Sequence, residues 1–341
     1  MSTHPARMNT LNITKPVTLD TELLGYKARE ALSAHKKAPV QGIFDNALYI
    51  RAGEDSLIRI IGQKEFASPS SIVVKPPAPD FSFRSLGLTE KSEFTIDGNI
   101  LTAEGTGFSV NLANASELSP QVIPKDSRPL SLEEINLNIR VLRDVIYTCP
   151  TREGLVPLLE NVELYGPMEV FLKEQRPGMA EKARPHIDRL MWGLMAGDME
   201  TIHKSVEPIL GLGPGLTPSC DDFLSGLLES INLAGGLLFG DEENTIDFFK
   251  KAADQIAALA REKTTIYSLS LLNEAAYGQG PQAAFDVIES VLTKSPDSTA
   301  KASKTLIAMG ETSGADIAVG ILYGIRFLIS RIELRELNES I

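Results

Sequence analysis

The stretch Gly211-Leu212-Gly213-Pro214-Gly215-Leu216-Thr217-Pro218-Ser219-Cys220-Asp221-Asp222 carries the densest polar chemistry of this chain. A glycine- and proline-rich loop runs directly into an apolar helical pattern. Ser219 falls where an N-cap is expected, and Asp222 follows three positions later, the spacing of a capping box. Such a loop gathers free backbone N–H groups and the positive end of a helix dipole at one place. That combination suits a small anion, a phosphate or a carboxylate. The loop is not a P-loop, because no Lys-Ser/Thr pair closes it. It is not a dinucleotide fingerprint, because Glu207-Pro208-Ile209-Leu210 before it is a poor strand. Asp221 is suited to act as a general base, or to orient an amine or amide nitrogen. As a first-turn acid it also complements the helix dipole, an effect worth only about 0.3–1 kcal/mol.

A second segment, Gly310-Glu311-Thr312-Ser313-Gly314-Ala315-Asp316, also opens an apolar run. Aligned on the serines, Ser219 matches Ser313, Asp222 matches Asp316, and Gly226 matches Gly320. An apolar pair follows each glycine, Leu227-Leu228 and Ile321-Leu322. Asp221 has no counterpart, since Ala315 takes its place. Two well-capped helices would explain the serines and each aspartate singly, a cap being worth about 1 kcal/mol. The glycines ask for more. Inside a helix glycine costs roughly 1 kcal/mol against alanine, so Gly226 and Gly320 predict close helix–helix approach. Side-by-side packing would bring both N-termini to one polar pocket. Gly213, Gly215, Thr217, Ser219, Thr312, Ser313 and Asp316 are then its candidate substrate-binding residues, with Asp221 and Asp222 as candidate catalytic carboxylates.

The elements that must position these residues emerge from periodicity. Residues 19–36 read as a short helix, with Leu23, Leu24, Ala28, Ala31 and Leu32 at helical spacing. From residue 37 to 119 short apolar runs are separated by turn residues. They are Gly42-Ile43-Phe44, Ala47 to Ile50, Leu57 to Ile61, Ser71 to Val74, Phe81-Ser82-Phe83, Glu93 to Ile96, Ile100 to Thr102 and Phe108 to Leu112. Asp97-Gly98-Asn99 is a hairpin signal and Gly53-Glu54-Asp55 a second turn. Many short strands at near-regular spacing predict a small β-barrel or sandwich. Pro120, Pro124 and Pro129 mark a linker over residues 120–131. Residues 132–341 read as helical, beginning with the capping box Ser131-Leu132-Glu133-Glu134 and a stripe of Ile135, Leu137, Ile139, Leu142 and Ile146. The expected fold is therefore α+β, with an N-terminal β-domain after a segment of residues 1–36, and a C-terminal all-helical domain carrying both loops.

Composition narrows the function. A net charge of −12 argues against nucleic acid, which needs a basic patch. A local N–H nest still binds a small anion on an acidic protein. Cys149 and Cys220 make no disulfide framework, and residues 1–18 lack an apolar leader, so a cytoplasmic protein is expected. The apolar run Ile317 to Tyr323 is too short to span a bilayer. His4, His35, His186 and His203 have no ligand spacing, so neither metal nor cofactor is predicted. Arg51, Arg59, Arg84 and Arg261 are available to complete an anion site, and nothing in the sequence selects among them. Cys220, beside a helix N-terminus but with no His near it in sequence, is not expected to be a nucleophile.

The loop Gly-Leu-Gly-Pro-Gly-Leu-Thr-Pro-Ser-x-Asp-Asp-Phe-Leu-x-Gly and the later Thr-Ser-Gly-Ala-Asp resemble the AllH-like family, linked to a subunit of oxamate carbamoyltransferase. The resemblance runs from near His35 to about Phe327. Cys220 departs from it, standing where a small residue, usually glycine, is expected. The resemblance implies carbamoyl transfer in purine (allantoin) breakdown, between oxamate, as carbamoyl-oxamate, and phosphate, as carbamoyl phosphate, with other enzyme subunits as partners in an oligomer. It also brings in His35 and the hydroxyls Thr264, Thr265 and Ser268, which helical spacing would place on one face. The transcarbamylase phosphate motif Ser-Thr-Arg-Thr-Arg is absent, so the site must be of another design. A rival from another class is a non-catalytic anion-binding or assembly subunit of a multi-chain enzyme. A third is an enzyme handling an unrelated carboxylate or acyl phosphate.

Overall fold

A computed structural model describes residues 16–54, 56–124, 126–149, 153–161, 178–240 and 242–339. His4, Asp55 and the polar stretch before residue 16 lie outside the described residues. The chain divides into two compact units between Pro120 and Gln121.

The first unit is a β-barrel. Its strands are β1 (Val17–Gly25), β2 (Lys37–Ile43), β3 (Ala47–Arg51), β4 (Leu57–Ile61), β5 (Ser71–Val74), β6 (Glu93–Asp97), β7 (Ile100–Ala103), β8 (Phe108–Asn111) and β9 (Ser116–Leu118), with helix α1 (Tyr26–Ala34) after β1. The order β5-β4-β3-β2-β6-β7-β8-β1 closes through a β5–β1 pairing, and β9 adds to β1. Closure abolishes most free edges. Strand β1 is long enough to serve both sides of the seam. Val17 to Asp20 run parallel to β8, while Thr21, Leu23 and Leu24 pair antiparallel with β5, with an irregularity in register between Thr21 and Leu23. Inward residues alternate along the strands, and the core centres on such side chains as Phe94 and Phe108, whose rings meet edge-on at 5.9 Å. Edge-on pairs add about 0.5–1.5 kcal/mol beyond their buried area.

Two expectations in this unit need correction. The helix read over residues 19–36 begins only at Tyr26. Leu19 and Thr21 are buried in alternation, a period of two that the later apolar residues masked. Phe81-Ser82-Phe83 is not a strand. Ser82 accepts the N–H of Arg84 and caps a 3₁₀ turn over Phe83–Leu86. The hairpin at Asp97-Gly98-Asn99 joins β6 to β7 as expected, with Gly98 at φ +55°.

The second unit is helical: α2 (Leu132–Tyr147), α3 (Met179–Ala196), α4 (Met199–Val206), α5 (Ser219–Phe239), α6 (Glu243–Lys263), α7 (Ile266–Ala275), α8 (Gln282–Thr293), α9 (Pro296–Ile307) and α10 (Ser313–Glu339). Ser131 caps α2 in a complete capping box. Leu137, expected on the buried stripe of α2, is instead 42% exposed. The proline-punctuated stretch read as a linker is bonded onto this unit. Gln121 N–H donates to Gln279 and Leu130 N–H donates to the Leu292 carbonyl. Proline stops helix there without freeing the chain.

Helix α5 is buried on nearly all sides over its first half, as a central helix must be. Its main partner is α10. A Cβ on Gly226 would lie 2.1 Å from the Ile317 carbonyl oxygen and 3.0 Å from the Ile321 nitrogen. A Cβ on Gly320 would lie 2.0 Å from the Phe223 oxygen and 2.9 Å from the Leu227 nitrogen. Since Phe223 matches Ile317 and Leu227 matches Ile321 in the repeat, the contact is reciprocal, as a local two-fold relation requires. The Phe223 and Tyr323 rings meet edge-on beside it at 5.4 Å.

Alanine at Gly226 or Gly320 must push two backbones apart. We expect each to lower stability by about 1–3 kcal/mol or more, which lowers the Tm by several degrees. Gly236, also inside α5, is different, because a Cβ placed there would meet nothing within 4 Å. Gly236→Ala should therefore raise the Tm. Thermal unfolding of the three variants checks this; equal effects at all three positions would refute the backbone contact.

Candidate functional site

The N-termini of α5 and α10 meet. The Thr217 hydroxyl lies 3.0 Å from the Ser313 hydroxyl and also donates to Asp222 Oδ2 at 3.1 Å. A chain Ser313–Thr217–Asp222 therefore crosses from one helix to the other. Ser219 is not the N-cap that its spacing suggested. Pro218 takes that position and makes no side-chain cap bond, leaving Ser219 as the first helical residue. The reason is that each helix faces the other's first turn, so serine and aspartate serve the neighbouring helix rather than their own. The Ser313 hydroxyl favours ionisation of Asp222, and the Ser219 hydroxyl favours ionisation of Asp316.

Each of these two aspartates has one oxygen anchored and one free. Asp222 Oδ2 is held by Thr217, while Oδ1 is buried without a partner. Asp316 Oδ1 accepts the Leu155 N–H at 2.7 Å, while Oδ2 is buried without a partner. The Leu155 donor was not foreseen. It sits after Gly154, at φ +78°, where a Cβ would fall 2.5 Å from Asp316 Oδ1. Nothing in the sequence around Gly154 marks it as a partner of a residue so distant in the chain.

Burial dominates the electrostatics. It holds the Asp222 carboxyl well above the ordinary carboxylate range; the hydroxyls of Ser313 and Thr217 oppose this, and the charges of Asp316 and Asp221 add to it. Asp316 is raised to about 6, again by burial, against the pull of Leu155 N–H, Ser219 and Thr312. Cys220 is fully buried, and burial with the charges of Asp221 and Asp316 pushes its thiol up, so it stays protonated.

Asp221 has a different role. Oδ1 accepts the Gly211 N–H at 2.9 Å and Oδ2 accepts the Thr264 hydroxyl. It thereby fastens the start of the glycine loop to the junction of α6 and α7. Thr264, Thr265 and Ser268 do not share one helical face as expected: Thr264 ends α6 and Thr265 caps α7. Thr265 also donates to the Leu216 carbonyl at 2.5 Å, and the buried Ser268 hydroxyl favours ionised Asp221. Gly213 is needed where it stands, at φ +133°, because a Cβ would lie 2.5 Å from the Ser219 nitrogen. Gly215 lies at φ +91° at the exposed tip of the loop. A cleft of about 390 Å³ opens beside this loop, lined by Leu212, Gly213 and Pro214 and by Gly178, Met179, Glu181 and Lys182 at the start of α3. Lys182 thus lines the cleft beside the loop, a cation which sequence reasoning missed.

His35 belongs to the other unit, where Nδ1 lies 2.9 Å from the Ala31 carbonyl and the ring packs on Gly53. Arg51, Arg59 and Arg84 belong there too. Arg51 donates to the Gly53 and Glu54 carbonyls, Arg59 to the Phe66 carbonyl, and Arg84 pairs with Asp45. Among the described residues, no group of three or more His, Cys, Asp or Glu could hold a metal ion. No helix of the described residues is long and apolar enough to cross a membrane.

A further buried acid lies on α5 beyond the site. Both Glu229 carboxylate oxygens are buried without a partner, and a Cβ at Gly280 would lie 2.2 Å from one of them. Burial, then the charge of Glu274, holds Glu229 well above its ordinary value. An acid raised on folding binds its proton more tightly in the native state, so its contribution is fully present below the unfolded value of 4.5 and is lost as pH rises toward the folded value. We expect Glu229→Gln to raise the Tm at pH 8 and to change it little at pH 4. A Tm gain of equal size at both pH values would show that Glu229 is already ionised.

Two family models match the chain. Residues 15–117 match the AllH family N-terminal domain, which covers the barrel. Residues 209–325 match the model described as oxamate carbamoyltransferase subunit AllH, which covers the glycine loop, α5 and the start of α10. No solved structure matches. The chain belongs to the AllH family.

Proposed function

We propose that this chain is the subunit of an oxamate carbamoyltransferase that binds substrate where α5 and α10 begin. One observation carries the reading: two buried carboxylate oxygens, Asp222 Oδ1 and Asp316 Oδ2, stand without partners in the first turns of α5 and α10, with the hydroxyls of Thr217 and Ser313 beside Asp222 and those of Ser219 and Thr312 beside Asp316. Buried polar atoms are almost always satisfied, so a group that donates hydrogen bonds fits there. Oxamate supplies one in its amide nitrogen. Its carboxylate, or a phosphate, would be met by the glycine loop and Lys182 at the cleft beside that loop. Asp222 holds the reacting nitrogen, and the hydroxyls stabilise charge on the carbamoyl oxygen as the transfer proceeds. Asp221, with both oxygens engaged, shapes the loop. Carbamoyl transfer between oxamate and phosphate would place the enzyme in purine (allantoin) breakdown in the cytoplasm, with further subunits in the assembly.

Thermal unfolding of the chain with oxamate, carbamoyl phosphate, phosphate and sulfate in turn tests the reading. Ligand at 100 times its dissociation constant adds about 2.7 kcal/mol, a shift of several degrees. A shift specific to oxamate or carbamoyl phosphate, weakened about ten-fold in affinity by Ser313→Ala, is expected. No shift with any of the four, on a chain that still assembles with its partner subunits, would instead make it an assembly subunit.

A further inference from the structure

We propose that Asp222 and Asp316 act as one acid–carboxylate pair that passes a proton to and from the oxamate nitrogen during carbamoyl transfer. This deepens the functional reading above and rests on it. The geometry is that of a matched pair. The residues are equivalent in the two-fold frame, each anchored through one oxygen, by Thr217 at 3.1 Å and by Leu155 N–H at 2.7 Å, and each presenting the other oxygen buried and unpartnered. On α5 the Asp221 charge also acts on Asp222, and the Cys220 thiol feels the charge of Asp316; neither aspartate has an ion pair with a Lys, Arg or His among the described residues. Two like charges in such surroundings do not both ionise, and the proton that remains belongs to the pair.

The chemistry balances around that proton. When carbamoyl-oxamate is consumed, a phosphate oxygen bonds to the carbamoyl carbon and the carbon–nitrogen bond breaks, its electron pair passing to the oxamate nitrogen. The pair's proton moves onto that nitrogen. Hydrogen phosphate, on becoming carbamoyl phosphate, returns its own proton to the pair. In the reverse direction the pair removes a proton from the oxamate amide as its nitrogen attacks carbamoyl phosphate. No other reactant is required.

The test has two readouts. In the assembled enzyme, Asp222→Asn and Asp316→Asn should each lower kcat by about 10²-fold or more, with less than a ten-fold change in KM. The alkaline limb of the residual activity should move to lower pH, because the remaining carboxyl no longer faces the charge of its partner in the pair. In the isolated chain at neutral pH, the infrared spectrum should show one protonated carboxyl fewer in Asp222→Asn than in the unsubstituted protein. An unmoved alkaline limb together with an unchanged carboxyl count, in a chain that still binds oxamate or carbamoyl phosphate, overturns the pair alone. Loss of the carboxyl signal in a chain that binds neither compound overturns the functional reading and with it the proposed proton transfer.

Discussion

The helical unit depends on one contact, that of the α5 backbone against the α10 backbone at Gly226 and Gly320. Two helices whose carbonyls and amides nearly touch cannot carry side chains at the crossing, and glycine's cost of roughly 1 kcal/mol inside each helix is the consequence. The contact in turn fixes position. The first turns of the two helices lie together, so Ser313 reaches Thr217 and each helix sets its aspartate before the other's serine. Wider spacing by a single methyl group would separate the hydroxyls from the carboxylates they serve.

The same closeness accounts for the electrostatics. Helix N-termini favour negative charge, yet burial at this junction opposes ionisation strongly enough to raise both Asp222 and Asp316. The two tendencies do not cancel residue by residue. Asp316 is raised to about 6 by burial against the pull of a backbone N–H at 2.7 Å, whereas Asp222 is raised by burial and by the charges of Asp316 and Asp221 against the hydroxyls of Ser313 and Thr217. A symmetric frame thus holds two acids with unlike partners. One of the unlike partners is the Gly154–Leu155 turn, which contributes to one side alone.

Much of this was legible in the residues. The serine–aspartate–glycine repeat and the expense of helical glycine together foretold the helix pair, and the turn residues between short apolar runs foretold a barrel. The features that escaped did so for physical reasons. Residues 19–25 read as helix because Leu23 and Leu24 fall in register with the genuine helix after them. Ser219 reads as a cap because capping depends on backbone angles that Pro218 adopts in its place. Thr264 and Thr265 read as neighbours on one helix because nothing in Lys263 to Ser268 announces the break between α6 and α7. Leu155 and Lys182 were unreadable, since contacts between residues distant in the chain leave no local pattern.

A two-fold frame would let an unsymmetrical ligand settle in either of two opposed poses of equal energy. Here the degeneracy is removed. On the α5 side Asp221, which has only Ala315 as its counterpart, ties Gly211 and Thr264 and fixes the glycine loop; on the α10 side the Gly154–Leu155 turn closes on Asp316. The junction is therefore handed. A substrate bound there as proposed, with an amide at one end and an anion at the other, would have a single direction in which to lie.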